Sequence, residues 1–368
     1  KLYLPLGMTE PLSVLDANTG ELLSTFPETN SAEEVLVSDG AIYVLANPEP
    51  ELYEDFDLGT GHNSRQRGRV AQEYPWDHGA RKLVVLDEAT GRTLWQKSVV
   101  AAPLSLTVGR GGVYFFDGTR IVALDKRTGH VQWNSPEVEA KPKFAIAEAP
   151  ALVAYEEYVL FAGLNRQMSV YSAETGQRLW EAEHLRGGYC SPQDLFVIDD
   201  LVWSGAIDTP RNTGVFVGRD LRTGEAKREI PPQDVPYTFG HHRCHRAKAT
   251  SRFILASKTG IEFYDIENRR EEVNHWVRGG CLYGIMPANG LIYSPMHSCA
   301  CHLDSKLVGF NALAPEARPI DNEQRAKTEP APRLVRGSAY PGVHRQASSA
   351  SKQEAKENGR GLRTGPQP

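Results

Sequence analysis

Short apolar runs recur along this chain, each closed by a polar turn. Lys82-Leu-Val-Val-Leu-Asp87, Arg120-Ile-Val-Ala-Leu-Asp125 and Val215-Phe-Val-Gly-Arg-Asp220 are three of them. Apolar runs of this length, bounded by turn residues, read as buried strands. Beyond the turn, polar and apolar positions alternate, with Thr93, Trp95 and Lys97 on one side and Leu94 and Gln96 on the other. That alternation is the mark of a half-buried strand. Helical periodicity is weak throughout, so the pattern predicts an all-β chain.

The turn between the two strands is a repeated phrase. It occurs as Asp16-Ala-Asn-Thr-Gly20, Asp87-Glu-Ala-Thr-Gly91, Asp125-Lys-Arg-Thr-Gly129, Ser172-Ala-Glu-Thr-Gly176 and Asp220-Leu-Arg-Thr-Gly224. Asp265-Ile-Glu-Asn268 and Asn311-Ala-Leu read as degenerate sixth and seventh copies. The Asp carboxylate can hold the turn backbone, and the Gly takes a positive φ that other residues resist. Trp95, Trp133 and Trp180 follow three of the copies and supply large plates for packing between repeats. Successive glycines stand 71, 38, 47 and 48 residues apart. A period in the forties is that of a four-stranded propeller blade.

The phrase and its Trp resemble the repeats of pyrroloquinoline-quinone (PQQ)-type propellers, which include quinoprotein alcohol dehydrogenases and the propeller lipoprotein of bacterial outer-membrane assembly. The resemblance covers residues 1–313 and implies a β-propeller of four-stranded blades, seven of them visible, with an eighth compatible with a longer chain. It also implies a periplasmic or cell-envelope location. Strands near 2–7, 12–17 and 21–26 form blade one, and the later blades span 32–98, 103–134, 147–182, 190–230, 245–276 and 281–313. Residues 314–368, polar and punctuated by Pro and Gly, read as a disordered tail or linker.

Within an antiparallel blade of strands A to D, the A–B and C–D turns share one face. The B–C loops and the D–A connections to the next blade share the other. The 71-residue gap reflects an insertion at 47–81, a B–C loop carrying Arg65, Arg67, Arg69, Tyr74, Trp76, Asp77 and His78. Cys190, Cys244 and Cys281 begin inner strands on that same face, and Cys299 and Cys301 fall in the B–C loop of blade seven. Residues 241–302 hold four of the five cysteines and six of the eleven histidines. The channel mouth on this face is therefore expected to be rimmed by Cys, His and Arg.

Three chemistries fit such a rim. His241, His242, Cys244, His245, Cys281, His297, Cys299, Cys301 and His302 are candidate ligands for a metal ion such as Zn or Cu, although their spacing matches no standard zinc pattern. The same cysteines could instead tie neighbouring blades as disulfides, or simply pack. Arg186, Arg243, Arg246 and Arg278 are candidates to hold an anionic ligand or partner. His130 and His184 read as surface or strand-end residues.

In quinoprotein dehydrogenases a disulfide between adjacent cysteines covers the quinone, and a calcium lies beside a catalytic Asp. Here Ala300 separates Cys299 from Cys301 and no Cys-Cys pair exists, which counts against PQQ and calcium. The expected function is thus a binding or scaffold module for a protein partner or a small anionic ligand at the channel mouth. A metal- or quinone-dependent oxidoreductase using the same rim is the alternative. A net charge of −5 gives no basic footprint for nucleic acid. No apolar stretch is long enough for a transmembrane helix. A monomer is expected.

Overall fold

The computed structural model describes residues 1–50, 76–140, 144, 149–163, 165–184, 194–205, 208–209, 212–213, 216–231, 245–256, 260–274, 277–280, 284–296 and 309–315. The fold is all-β, a β-propeller whose seven blades follow one another in chain order. Among the described residues, helical structure is confined to a single 3-10 turn at Pro27–Thr29. Contacts divide the chain into two compact units. One comprises Lys1–Leu4, Ser13–Thr25 and Ala317–Pro368; the other comprises Pro5–Leu12 and Phe26–Glu316.

Most of the first sheet lies in the smaller unit. Its strands are β1 (Leu2–Pro5), β2 (Leu12–Leu15) and β3 (Leu22–Phe26), in that order across the sheet. Between β2 and β3, Asp16 Oδ1 accepts the N–H groups of Asn18 and Thr19 at 2.8 and 2.9 Å, closing the turn phrase as expected.

The larger unit holds the remaining blades. Blade two is β4 (Ala32–Ser38), β5 (Ala41–Ala46), β6 (Ala80–Asp87) and β7 (Thr93–Val100). Blade three is β8 (Thr107–Val108), β9 (Val113–Phe116), β10 (Ile121–Leu124) and β11 (Val131–Asn134). Blade four is β12 (Ala151–Tyr155), β13 (Tyr158–Ala162), β14 (Gln167–Ser172) and β15 (Arg178–Glu183).

Blade five has β16 (Phe196–Ile198) and β17 (Leu201–Gly205), then a small hairpin of β18 (Asp208–Thr209) and β19 (Asn212–Thr213). It continues as β20 (Phe216–Asp220) and β21 (Ala226–Ile230). Blade six is β22 (Lys248–Ala249), β23 (Phe253–Ala256), β24 (Ile261–Asp265) and β25 (Arg270–Asn274). Blade seven shows three strands, β26 (Met286–Ala288), β27 (Leu291–Ser294) and β28 (Asn311–Leu313). Pairing within blades two to seven is antiparallel between strands next to each other in sequence, except that in blade five β17 pairs β20 across the small β18–β19 hairpin. Asn311 lies in β28, paired with Ser294, and so is a strand residue rather than the expected seventh turn.

Burial explains the two kinds of strand. The middle strands face a neighbouring blade on both sides, so β5, β9 and β13 are buried at every position. One side of blade two packs Tyr43, Leu45 and Leu83 against Val113, Phe115 and Leu124 of blade three. The other side of blade three packs Tyr114, Phe116 and Trp133 against Phe161 and Tyr171 of blade four. Blade five meets blade six through Trp203, Phe216, Ile254 and Tyr264, with the Phe216 and Tyr264 rings 4.5 Å apart. Outer strands β7 and β15 keep only the alternating half-burial anticipated above.

The repeated Trp joins each blade to the next in one way. Trp95, Trp133 and Trp180 donate their indole N–H to the carbonyls of Lys126, Ala173 and Leu221, at 2.8, 2.9 and 2.8 Å. Each acceptor is the second residue of the next blade's turn phrase. Each ring lies over that phrase's glycine: at Gly176 (φ 71°), an added Cβ would stand 2.5 Å from Trp133 Cε3. Glycine is required there twice over, for the positive φ and for the close approach. The strand registers shift just before these turns, at Val85/Leu86, Ala123/Leu124, Val170/Tyr171 and Gly218/Arg219, the mark of a bulged hairpin.

Candidate functional site

The innermost strands begin on the face of the B–C loops and D–A connections, and together they line an open cavity of about 480 Å³. Its wall comes from Leu104 before β8, Ala151–Val153 of β12, Asp194–Phe196 at β16, Arg246–Ala249 at β22, and Met286 and Pro287 of β26. Contributions from five successive blades identify it as part of the propeller channel.

The sequence Arg246-Ala-Lys-Ala249 divides its residues by strand alternation. Ala247 and Ala249 pack into the core between blades five and six, which leaves Arg246 and Lys248 to the opposite side. Burial works against the charge of Arg246 and lowers its pKa, opposed by the nearby carboxylates of Asp194 and Glu34. Neither carboxylate is bonded to the guanidinium. Asp194 Oδ1 accepts the Ala247 N–H at 3.1 Å, and the two Glu34 oxygens accept the N–H groups of Leu104 and Leu106. Among the described residues the Arg246 guanidinium has no hydrogen-bond partner, and its Nη2 is buried.

Glu34 sits on β4 beside a bulge between Ala32 and Glu34. Burial pushes its carboxyl up to about 7, against the two backbone N–H bonds; Glu33 adds to the rise and Arg246 opposes it. A folded-state value above the unfolded one means that the site favours the protonated acid. Its contribution to stability is then complete below the unfolded value of 4.5 and is lost as pH rises through about 7. Glu34→Gln, which cannot ionise, is expected to gain on the wild type between pH 5 and pH 8. Urea unfolding at both values tests this, and an unchanged difference between the two proteins would refute it.

Glu33 pins the root of the 47–81 insertion. Its carboxylate accepts Asn47 Nδ2 at 2.9 Å and pairs with Arg81 Nε at 2.7 Å, while Arg81 also bridges to Asp77 at 3.1 Å. Just before Asp77, Trp76 is buried in the core shared by blades three and four, with its ring centroid 5.8 Å from that of Phe144. Residues 51–75, including Arg65, Arg67, Arg69 and Tyr74, lie outside the described residues.

Three of the expected rim residues are described. Arg246 lines the cavity. Arg278 is buried, and its carbonyl accepts the Ser294 hydroxyl at 2.9 Å. His245 is fully buried, its Nδ1 3.0 Å from the Arg246 carbonyl. It fills a cradle in the next connection, where a Cβ on Gly279 would come within 2.6 Å of Nε2. His241, His242, Cys244, Cys281, His297, Cys299, Cys301, His302, Arg186, Arg243 and Cys190 lie outside the described residues. Among the described residues no group of three or more His, Cys, Asp or Glu side chains could hold a metal ion.

Of the two places expected for His184, surface or strand end, the structure shows the second. It directly follows the last residue of β15 and is fully buried there, its Nε2 2.8 Å from the Asp194 carbonyl, where it supports the start of β16. Glu34, Asp194 and Lys248 were not anticipated. The alternation in Arg246-Ala-Lys-Ala249 could have signalled Lys248, and the charged pair Glu33-Glu34 opening an apolar strand could have signalled Glu34.

Among known proteins, a curated relative is the quinoprotein alcohol dehydrogenase PedH of Pseudomonas putida, 28% identical over 144 residues. The match takes in 33% of this chain and 24% of that enzyme, so the chain spans about a quarter of its relative's length. The crystal structure of BamB from Moraxella catarrhalis is 14% identical, with 80% of this chain and 92% of that one covered, at a TM-score of 0.43. The computationally designed Ika8 protein is 15% identical over 78% of this chain and 76% of its own, at a TM-score of 0.48. Residues 9–227, more than half of the sequence and most of its turn phrases, match the family described as outer membrane protein assembly factor BamB, and the chain belongs to that family.

Proposed function

We propose that this propeller is a protein-binding scaffold of the bacterial cell envelope, engaging its partner on the face that carries the 47–81 insertion and the channel mouth. The family is one named for an outer-membrane assembly factor. Among the described residues, no helix is long and apolar enough to cross a membrane.

The observation that carries the reading is the apolar character of this face. Met8, Leu104, Met286 and Met296 are exposed there, at 78%, 41%, 57% and 74%. They lie in a B–C loop, a D–A connection, the head of an inner strand and a second B–C loop. The Thr9 carbonyl accepts the Ser31 N–H, and the Ser31 carbonyl accepts the Asn47 N–H, which ties the Met8 loop to the root of the insertion. Methionine is usually buried, and its exposure at several places on one face suits an adaptable binding surface. The opposite face presents exposed charged turn residues of both signs instead, such as Glu156, Asp199, Asp200, Arg127 and Arg222.

A photo-crosslinking residue at Met8 or at Met296 is expected to capture the same envelope protein, identified by mass spectrometry; one at Glu156 is expected to capture none. The purified partner should rebind in vitro, and the double variant Met8→Asp/Met296→Asp should weaken that binding at least tenfold. Equal capture from both faces would overturn the reading. So would no capture joined to alcohol oxidation on addition of PQQ and calcium.

A further inference from the structure

Within this reading, the channel cavity has a chemistry of its own. Arg246 and Lys248 supply two cationic groups to its lining and Asp194 one anionic group. The Asp194 and Glu34 carboxylates already accept backbone N–H groups, while the Arg246 guanidinium makes no hydrogen bond among the described residues. A guanidinium drawn out of bulk water without a bonded partner is costly. The natural complement to its planar fork is a carboxylate, which can accept two parallel N–H bonds.

The remainder of the cavity wall is apolar, with Leu104, Leu152, Phe196, Met286 and Pro287 around the charged pair. Its volume of about 480 Å³ falls within the range of small-ligand sites. An inorganic anion would leave those apolar groups uncovered, and an uncharged apolar ligand would leave Arg246 unpaired.

We propose that the channel cavity binds a carboxylate carried on an apolar group, with the carboxylate on Arg246 and the apolar part against Leu104, Phe196 and Met286. The required chemistry is met by a small amphiphilic acid and by the free carboxyl terminus of a peptide that ends in a large apolar residue. Lys248 adds long-range attraction without the fork geometry, so Arg246 is the residue that discriminates.

Calorimetric titration of the full chain with two probe pairs tests this. The pairs are decanoate against decanamide, and acetyl-Gly-Ser-Leu-Phe with a free carboxyl terminus against its C-terminal amide. At least one acid is expected to bind saturably, with its amide at least tenfold weaker. Which acid binds identifies the source of the carboxylate. Arg246→Gln should abolish the preference for acid over amide, and Arg246→Lys should restore part of it. Equal binding of acid and amide, no saturable binding of either acid, or an unchanged preference in folded Arg246→Gln would each overturn the inference. The acid-against-amide comparison needs no variant, so it decides even if Arg246→Gln fails to fold. Loss of this site with partner capture at Met8 and Met296 intact would refute the cavity assignment alone.

Discussion

Trp133→Ala is expected to destabilise the propeller by about 3–5 kcal/mol, the usual cost of deleting a large buried aromatic. Trp133 is only 9% exposed; it packs against Tyr114 with ring centroids 5.7 Å apart and donates to the Ala173 carbonyl in the next blade. The substitution removes the plate between blades three and four and leaves a buried carbonyl short of one donor. Trp95 and Trp180 make the same bond from half-buried positions, so their alanine variants should lose less. Gly176 supplies an internal control. In the wild type, Gly176→Ala places a Cβ against the Trp133 ring and strains a positive φ. In a Trp133→Ala background only the backbone strain remains, about 1–2 kcal/mol. Urea unfolding of the two single variants and the double variant should therefore show the second substitution costing less than the first two would sum to. Additive losses, or a Trp133→Ala loss under about 1 kcal/mol, would refute the docking account.

The blade plan was legible in the sequence because its signals are local. Asp, Thr and Gly at fixed offsets specify one bulged turn, and an apolar run before an alternating run separates a strand covered on both sides from an edge strand. Asn311 shows the limit of that reasoning: an Asn after a gap resembles a worn turn phrase, yet pairing with Ser294 makes it a strand residue. The face of the 47–81 insertion followed from counting strands. Arg246 was expected at the channel mouth, but the rest of the lining did not follow, because Leu104, Ala151, Asp194 and Met286 meet it only through the arrangement of successive blades. No local pattern records which inner strands share a cavity. The strand-end place of His184 was legible and its burial was not, because its Nε2 meets the Asp194 carbonyl of the next blade's lead-in rather than a neighbour in sequence.

Asp265 is where the turn phrase becomes indispensable. In the copies at Asp16, Asp87, Asp125 and Asp220, N–H and hydroxyl donors of the turn hold an accessible carboxylate below its ordinary pKa. Asp265 is fully buried. Its Oδ1 accepts the N–H groups of Glu267 and Asn268 at 3.0 and 2.9 Å. Its Oδ2 accepts Arg252 Nη2 and Asn268 Nδ2, both at 2.8 Å. Burial alone would raise its pKa, but the Arg252 pair and the Asn268 donors outweigh it and hold the carboxyl well below the usual range. Asp265→Asn keeps the shape and both Oδ1 bonds while turning an amide N–H₂ toward Arg252 and Asn268. Arg252 is about half exposed, so water can take up its charge, and the mismatch should cost about 1–3 kcal/mol at pH 7, the scale of leaving a buried polar group unsatisfied. The pH dependence identifies the cause. With a depressed folded-state pKa, the wild-type advantage is complete above the unfolded carboxylate value of 3.8 and falls away as pH drops toward the folded one. The stability difference between wild type and Asp265→Asn should therefore be constant from pH 5 to pH 8 and shrink below pH 4. Asp125→Asn, altering an accessible member of the same set, should cost far less at every pH. Chemical unfolding across that range decides the matter: a difference that persists undiminished in acid would mean that Asp265 acts through shape and packing, and not through its charge.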